Sequence, residues 1–232
     1  MTFSKLKGVL AGAIVAALAM LPVAAGASSH MKPGEGTSVK MARATWDTGW
    51  FQAYVYKQLL EELGYEVPRI ISLQNPAFYT SVAQGDVDLW VNGWFPLHDT
   101  YEEDFKGGAR KIGYVAKAGA LQGYLVSKKH AEEYDITNLD DFKREEVKKA
   151  FDNDGDGKAE MVACPPGWGC EKTIAEHWDA YGMRDHVDLI KADYSPAMAD
   201  ALARYKNGEP VFFYTWTPNW TVNVFKPGDD VV

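Results

Sequence analysis

Eight tryptophans stand in this chain of 232 residues, and three of them sit in settings that read as loops rather than element interiors: Trp94 in NGWFPLHD, Trp168 in PPGWGC and Trp216 in YTWTPNW. Each has Gly or Pro within two positions. Indole rings that converge from such places form a cage of π faces suited to a quaternary ammonium, which has no N–H to donate and is held by cation–π attraction and apolar contact. If the same ligand carries a carboxylate, His98 and the backbone N–H groups of Gly169 and Cys170, at a turn that opens a helix, are suitable donors. Core packing is the competing reading for any Trp, and it suits Trp178, on a helix, and Trp90, within a strand. Trp46 lies near the end of the first strand, where either role fits equally, because strand ends of open α/β sheets commonly face ligands.

Other chemistry is sparse. The chain has no GxSxG, HExxH, GxxxxGK[ST] or GxGxxG, so no catalytic residue and no cofactor are assigned. His98, His130, His177 and His186 show no metal-ligand spacing. One acidic segment, Asp152 to Glu160, reproduces the first nine positions of a calcium loop, with Asp152, Asp154, Asp156 and Glu160 as its candidate ligands. The twelfth position is Ala163. Without a bidentate carboxylate there such a site is weak, and a solvated Asp/Gly turn competes with it.

A formal charge of -8, which becomes -10 once Lys5 and Lys7 are removed with the first 27 residues, excludes nucleic acid as a natural partner. Lys5 and Lys7, an apolar run from Val9 to Leu21 and the small-x-small site Ala25-Gly26-Ala27 read as a signal peptide over residues 1–27. The alternative is a membrane anchor, but the apolar run falls short of the ~20 residues that a span needs. Export places the two cysteines, Cys164 and Cys170, in an oxidising compartment, where their short separation predicts a local disulfide.

The hydrophobic fraction of 47% supports a folded core, and the elements that would position these residues alternate. A strand is expected over 38–45, a helix from Trp50 to Gly64, a strand over 67–73, a helix over 76–84 closed by Gly85, and a strand over 87–92. Two extended runs broken at Gly119 mark a crossing. Beyond it the pattern gives helices over 138–151 and 171–181, a strand over 187–192, a helix over 196–206 and a strand over 210–214. This is an α/β chain with parallel strand pairs and helices on the sheet faces. It divides into lobe one, 28–118, and lobe two, 119–232. Val231-Val232 reads as the start of a further strand.

Four segments together, WFPLHD (Trp94 to Asp99), DNDGDGKAE (Asp152 to Glu160), CPPGWGCE (Cys164 to Glu171) and RYKNGEPVFFYTWTPNW (Arg204 to Trp220), carry a resemblance. From about Ser38 to Val232 the chain resembles the substrate-binding proteins of ABC transporters for glycine betaine and proline betaine. The resemblance implies a two-lobe type II periplasmic-binding fold with the ligand in the cleft between the lobes. It also implies a three-Trp box matching Trp94, Trp168 and Trp216, with carboxylate contacts at His98 and the backbone of Gly169 and Cys170. The expected protein is a periplasmic monomer that hands its ligand to an ABC permease in the inner membrane and performs no chemistry. Members of the family run on past the point matching Val232 and return to lobe one, so lobe two is expected to be incomplete here. The alternatives are a receptor for choline, carnitine or another quaternary amine and, in a different class, a secreted hydrolase of betaine or choline esters.

Overall fold

The computed structural model describes residues 32–232, and the signal-peptide reading of residues 1–27 lies outside them. β1 (Ala42–Arg43) leads into α1 (Asp47–Glu62), and β2 (Ile71–Ser72) into α2 (Asn75–Gln84). A 3-10 helix (Leu97–Tyr101) and α3 (Glu102–Phe105) follow. The chain then forms β3 (Leu121–Val126), α4 (Lys128–Glu133), a second 3-10 helix (Leu139–Lys143), α5 (Glu145–Phe151), β4 (Ala159–Val162) and α6 (Gly169–Ala180). β5 (Val187–Ile190), α7 (Tyr194–Lys206), β6 (Phe212–Thr217) and α8 (Thr221–Val224) complete it.

The helix ends follow from local chemistry. Gly64 and Gly85 take positive φ, 92° and 80°, directly after α1 and α2, a conformation that costs glycine nothing and stops a helix. The single helix expected over 138–151 is instead two pieces, because Asp141 accepts the N–H groups of Thr137 and Asn138 at 2.7 and 3.0 Å and closes a capping box. Arg144 is then extended, its guanidinium donating to the carbonyls of Tyr134 and Asp135, and the helix restarts at Glu145.

β1 and β2 pair in parallel, Ala42 opposite Ile71. The longer strands expected over 38–45, 67–73 and 87–92 shrink to this pair and to bridges such as Met41 with Leu89. Two residues break the ladder. Pro68 has no N–H to donate, and the Asp88 carboxylate takes the Lys40 N–H at 2.7 Å.

The second sheet has the order β3-β6-β4-β5, with β4 parallel to both neighbours and β3 antiparallel to β6. Its alternating pattern continues the sequence expectation, except for β4, which begins within the last two residues of the acidic segment and which the sequence reading does not include. Val232 exchanges two backbone hydrogen bonds with Val126, at 2.8 and 2.9 Å, so Val231-Val232 does begin pairing along the free edge of β3.

Three apolar clusters hold the chain. The largest gathers Trp178, Phe142, Phe151, Phe213 and Met161 around the four-stranded sheet and reaches Ala44 and Trp46 after β1. Smaller ones lie under α2, with Phe78, Tyr79, Tyr101 and Phe105, and under α1, with Met41, Ala53, Ile70 and Val91. α1 has a second apolar face that no described residue covers: Phe51 is 71% exposed and Leu59 54%.

Candidate functional site

Trp94 follows the 87–92 segment and Trp168 precedes α6, both outside regular elements, whereas Trp216 is the fifth residue of β6 and not in a loop, because the strand expected to end at 214 keeps pairing with β3 as far as Thr217. All three line one cavity of about 290 Å³, mouth included, together with His98, Gly169, Cys170 and Trp46. Trp168 and Trp216 meet edge to face, with centroids 5.5 Å apart and planes at 81°, so their faces form a corner. Trp46 extends the corner, 5.1 Å from Trp168. Trp94, half-buried, lines the cavity without stacking on the others. Trp46 therefore both lines the cavity and packs: it is 6% exposed and contacts Trp90 and His98.

Each indole N–H poses its own question, since a buried donor left unpaired is costly. Asn92 Oδ1 accepts from both Trp46 Nε1, at 2.6 Å, and Trp94 Nε1, at 2.8 Å. Thr45 Oγ1 accepts from Trp168 Nε1 at 2.8 Å, fixing the turn before α6 to the segment just after β1. Trp216 Nε1 is buried with no acceptor among the described residues.

The disulfide between Cys164 and Cys170 forms as expected and closes the turn that carries Trp168. Gly167 bends at φ 82°, and its N–H donates to Glu171 Oε2 at 2.9 Å. Burial pushes the Glu171 carboxyl up, but the Gly167 N–H and the Lys191 ammonium outweigh it, leaving the group below the usual carboxylate range. Glu171 therefore stays ionised and anchors the turn. The first residues of α6, Gly169 and Cys170, bring the positive end of the helix to the cavity wall.

His98 is 1% exposed. Burial pushes its imidazole down to about 4, against a smaller opposing pull from Asp99, so the ring is neutral near pH 7. The Trp94 N–H points at Nδ1, at 3.3 Å, and Tyr79 Oη lies 2.7 Å from the same nitrogen. With Nδ1 accepting, the proton belongs on Nε2. The Asn75 amide sits 3.0 Å from Nε2 and, turned to offer its otherwise unpartnered oxygen, matches that donor. Nε2 also faces Gly169, where a built Cβ would come within 3.2 Å of it.

Sequence reasoning missed Gln122 and Tyr214, which line the cavity and are joined by a Tyr214 Oη donation to Gln122 Oε1 at 2.7 Å. One signal lies in the sequence, since Tyr214 shares the strand face of Trp216 by the period of two. Gln122 has none, because its place opposite Trp216 is set by the β3-β6 register, which only the structure shows.

The acidic segment forms a turn whose carboxylates accept the loop's own N–H groups. Among the described residues, Asp152, Asp154 and Asp156 bring ligand atoms within 4.8 Å of one another, but Glu160 is not in the group. Its carboxylate accepts the N–H groups of Asn153 and Asp154 at 2.7 and 3.1 Å, and burial raises its pKa. Three oxygens suit a hard cation by type but fall short of the six to eight calcium takes. Ala163, at the twelfth position, is 1% exposed and is no ligand.

The fold is that of periplasmic substrate-binding proteins. It matches a Borrelia burgdorferi glycine betaine, L-proline ABC transporter binding protein (ProX) with TM-score 0.71 at 22% identity, covering 84% of this chain and 68% of that one. It also matches lactococcal OpuAC, in a closed-liganded form complexed with glycine betaine, with TM-score 0.66 at 20% identity, covering 81% and 67%. Residues 37–229 match the family described as the substrate binding domain of ABC-type glycine betaine transport systems, and the chain belongs to that family. It is 43% identical over 203 residues to the glycine betaine-binding periplasmic protein OusX of Dickeya dadantii, covering 86% of this chain and 60% of that protein. It is equally identical, 43% over 202 residues, to the glycine betaine/proline betaine-binding periplasmic protein of Escherichia coli, covering 86% and 61%. The chain thus spans about three fifths of the length of these relatives.

Proposed function

We propose that this protein captures a betaine-type zwitterion, glycine betaine or proline betaine, in the periplasm and delivers it to an ABC permease of the inner membrane. One observation carries the reading: a perpendicular indole corner and a neutral, deeply buried imidazole face the same cavity as the first amides of a helix. In this reading Trp94, Trp168 and Trp216 hold the ammonium, Trp46 lines the cage, and the carboxylate is received by the Gly169 and Cys170 N–H groups together with His98 Nε2–H, which turns its donation from Asn75 to the ligand. Residues 28–118 and 119–232 act as its two lobes.

The protein is read as a receptor rather than an enzyme. The cavity wall offers no free hydroxyl or thiol nucleophile beside His98: its cysteine is in the disulfide, and its one hydroxyl, Tyr214, has its pKa pushed far up by burial. Calorimetric titration with glycine betaine, proline betaine, choline and proline tests the proposal. The two betaines should bind with micromolar or better affinity, and proline, which keeps N–H groups, only weakly. Tight binding of choline with none of either betaine would replace it with a choline receptor.

A further inference from the structure

We propose that the ligand site continues outward from the indole corner into a second anion subsite, at Lys172, for zwitterions whose carboxylate stands farther from the ammonium than in glycine betaine. The inference rests on the betaine reading above and extends it to a class of ligand.

An outer cleft of about 990 Å³, mouth included, adjoins the inner cavity of about 290 Å³, and Trp94, Leu97, Gln122 and Gly169 line both. α6 forms one wall of the cleft. Gly169, Lys172 and Glu176 recur there at i, i+3 and i+7 and so share a helix face. Lys172 Nζ reaches the opposite wall, donating to Thr100 Oγ1 at 3.1 Å and standing 5.1 Å from the Tyr101 ring centre. A hydroxyl and a ring face are its partners, and it enters no ion pair among the described residues. A cation with no carboxylate partner at the mouth of an aromatic cage favours an incoming anion.

The spacing sets the ligand's length. The Cα of Lys172 lies about 4.5 Å beyond that of Gly169 along the helix axis, and its Nζ crosses the cleft to Thr100. Three further bonds in an extended ligand chain span about 3.5 Å. A trimethylammonio acid with three more methylenes than glycine betaine would therefore place its carboxylate near Lys172 while its ammonium stays in the corner. Glu176, one turn farther out on the same face, repels a longer acid and limits the range.

The test is a titration of wild type and the Lys172→Gln and Glu176→Gln variants with glycine betaine and with its propionate, butyrate and valerate homologues. Both side chains are exposed, so the variants should fold, and a thermal melt checks this. The expected result is that wild type binds the valerate homologue, that Lys172→Gln weakens this binding about fivefold while changing glycine betaine less than twofold, and that Glu176→Gln strengthens it. The subsite is overturned if no longer homologue binds wild type. It is also overturned if Lys172→Gln leaves the valerate affinity unchanged, or weakens all ligands equally, as a general steering charge would. Failure of glycine betaine itself to bind wild type would instead sink the betaine reading.

Discussion

A Cβ added to Gly169 would lie 3.0 Å from Cδ2 of His98 and 3.1 Å from Cγ of Leu97, so the first turn of α6 and the imidazole approach each other as closely as a residue without a side chain permits. The absence of a Cβ is what lets the Gly169 amide and the His98 ring face one point. Gly169→Ala should accordingly lower glycine betaine affinity by tenfold or more. It should cost about 1–3 kcal/mol of stability through overpacking. Calorimetry and thermal melts separate the two effects, and an unchanged affinity would show that the contact does not matter to binding.

Replacing Trp94, Trp168 or Trp216 by Ala should each weaken binding by up to tens of fold, while Tyr or Phe retains much of it. The basis is about 0.5–2 kcal/mol per desolvated π face out of about 8 kcal/mol in a micromolar complex. Affinity should also fall along the series glycine betaine, dimethylglycine, glycine, because each added N–H loses water without finding an acceptor among the rings. Equal binding of glycine and glycine betaine would assign these residues to the core instead.

Stability should depend on pH through His98. Its folded-state pKa, about 4, lies below the ordinary value of 6.5, so between these values the unfolded chain binds the extra proton. The contribution is complete above pH 6.5 and is lost as pH falls towards 4, to a total on the order of 3 kcal/mol. Denaturant melts of wild type and His98→Gln from pH 7.5 to 4 would show it as a steeper acid loss in wild type. Parallel curves would mean that the ring titrates alike in both states.

The uncovered face of α1, with Phe51, Val55 and Leu59 one turn apart, should make the chain 32–232 bind hydrophobic dyes and self-associate at high concentration. Phe51→Lys with Leu59→Lys should suppress both without lowering the melting temperature, since neither residue belongs to the buried clusters. A melting temperature that falls by several degrees would place the two side chains in a structural contact.

What the sequence revealed and what it hid have physical reasons. α1 and α2 were readable because each ends in a glycine at a position that only a helix end requires, Gly64 and Gly85. The cage residues stood out because Trp94 and Trp168 lie beside turn-formers, and Trp216 sits ahead of Pro218. The strands around Met41 were over-read, since an apolar run does not disclose that the Asp88 carboxylate will take a ladder N–H. The acidic segment stayed open between two readings for a related reason: spacing alone cannot tell whether Glu160 turns to an ion or to the loop's own amides. The burial of His98 was hidden as well, because Asn75 and Tyr79 lie 23 and 19 residues upstream and no local pattern joins them to it.

Asn92 Oδ1 is the shared acceptor of two indoles, Trp46 and Trp94, and the Asn92 amide donates in turn to Gln52. The floor and one wall of the cage therefore answer to a single atom. Energies measured for the two rings one at a time will not sum, because removing either indole leaves the oxygen to be shared differently by the one that remains. Chemically the cage is a joint whose parts have no separate values, and swapping in one ring from a relative means carrying the asparagine and its glutamine along with it.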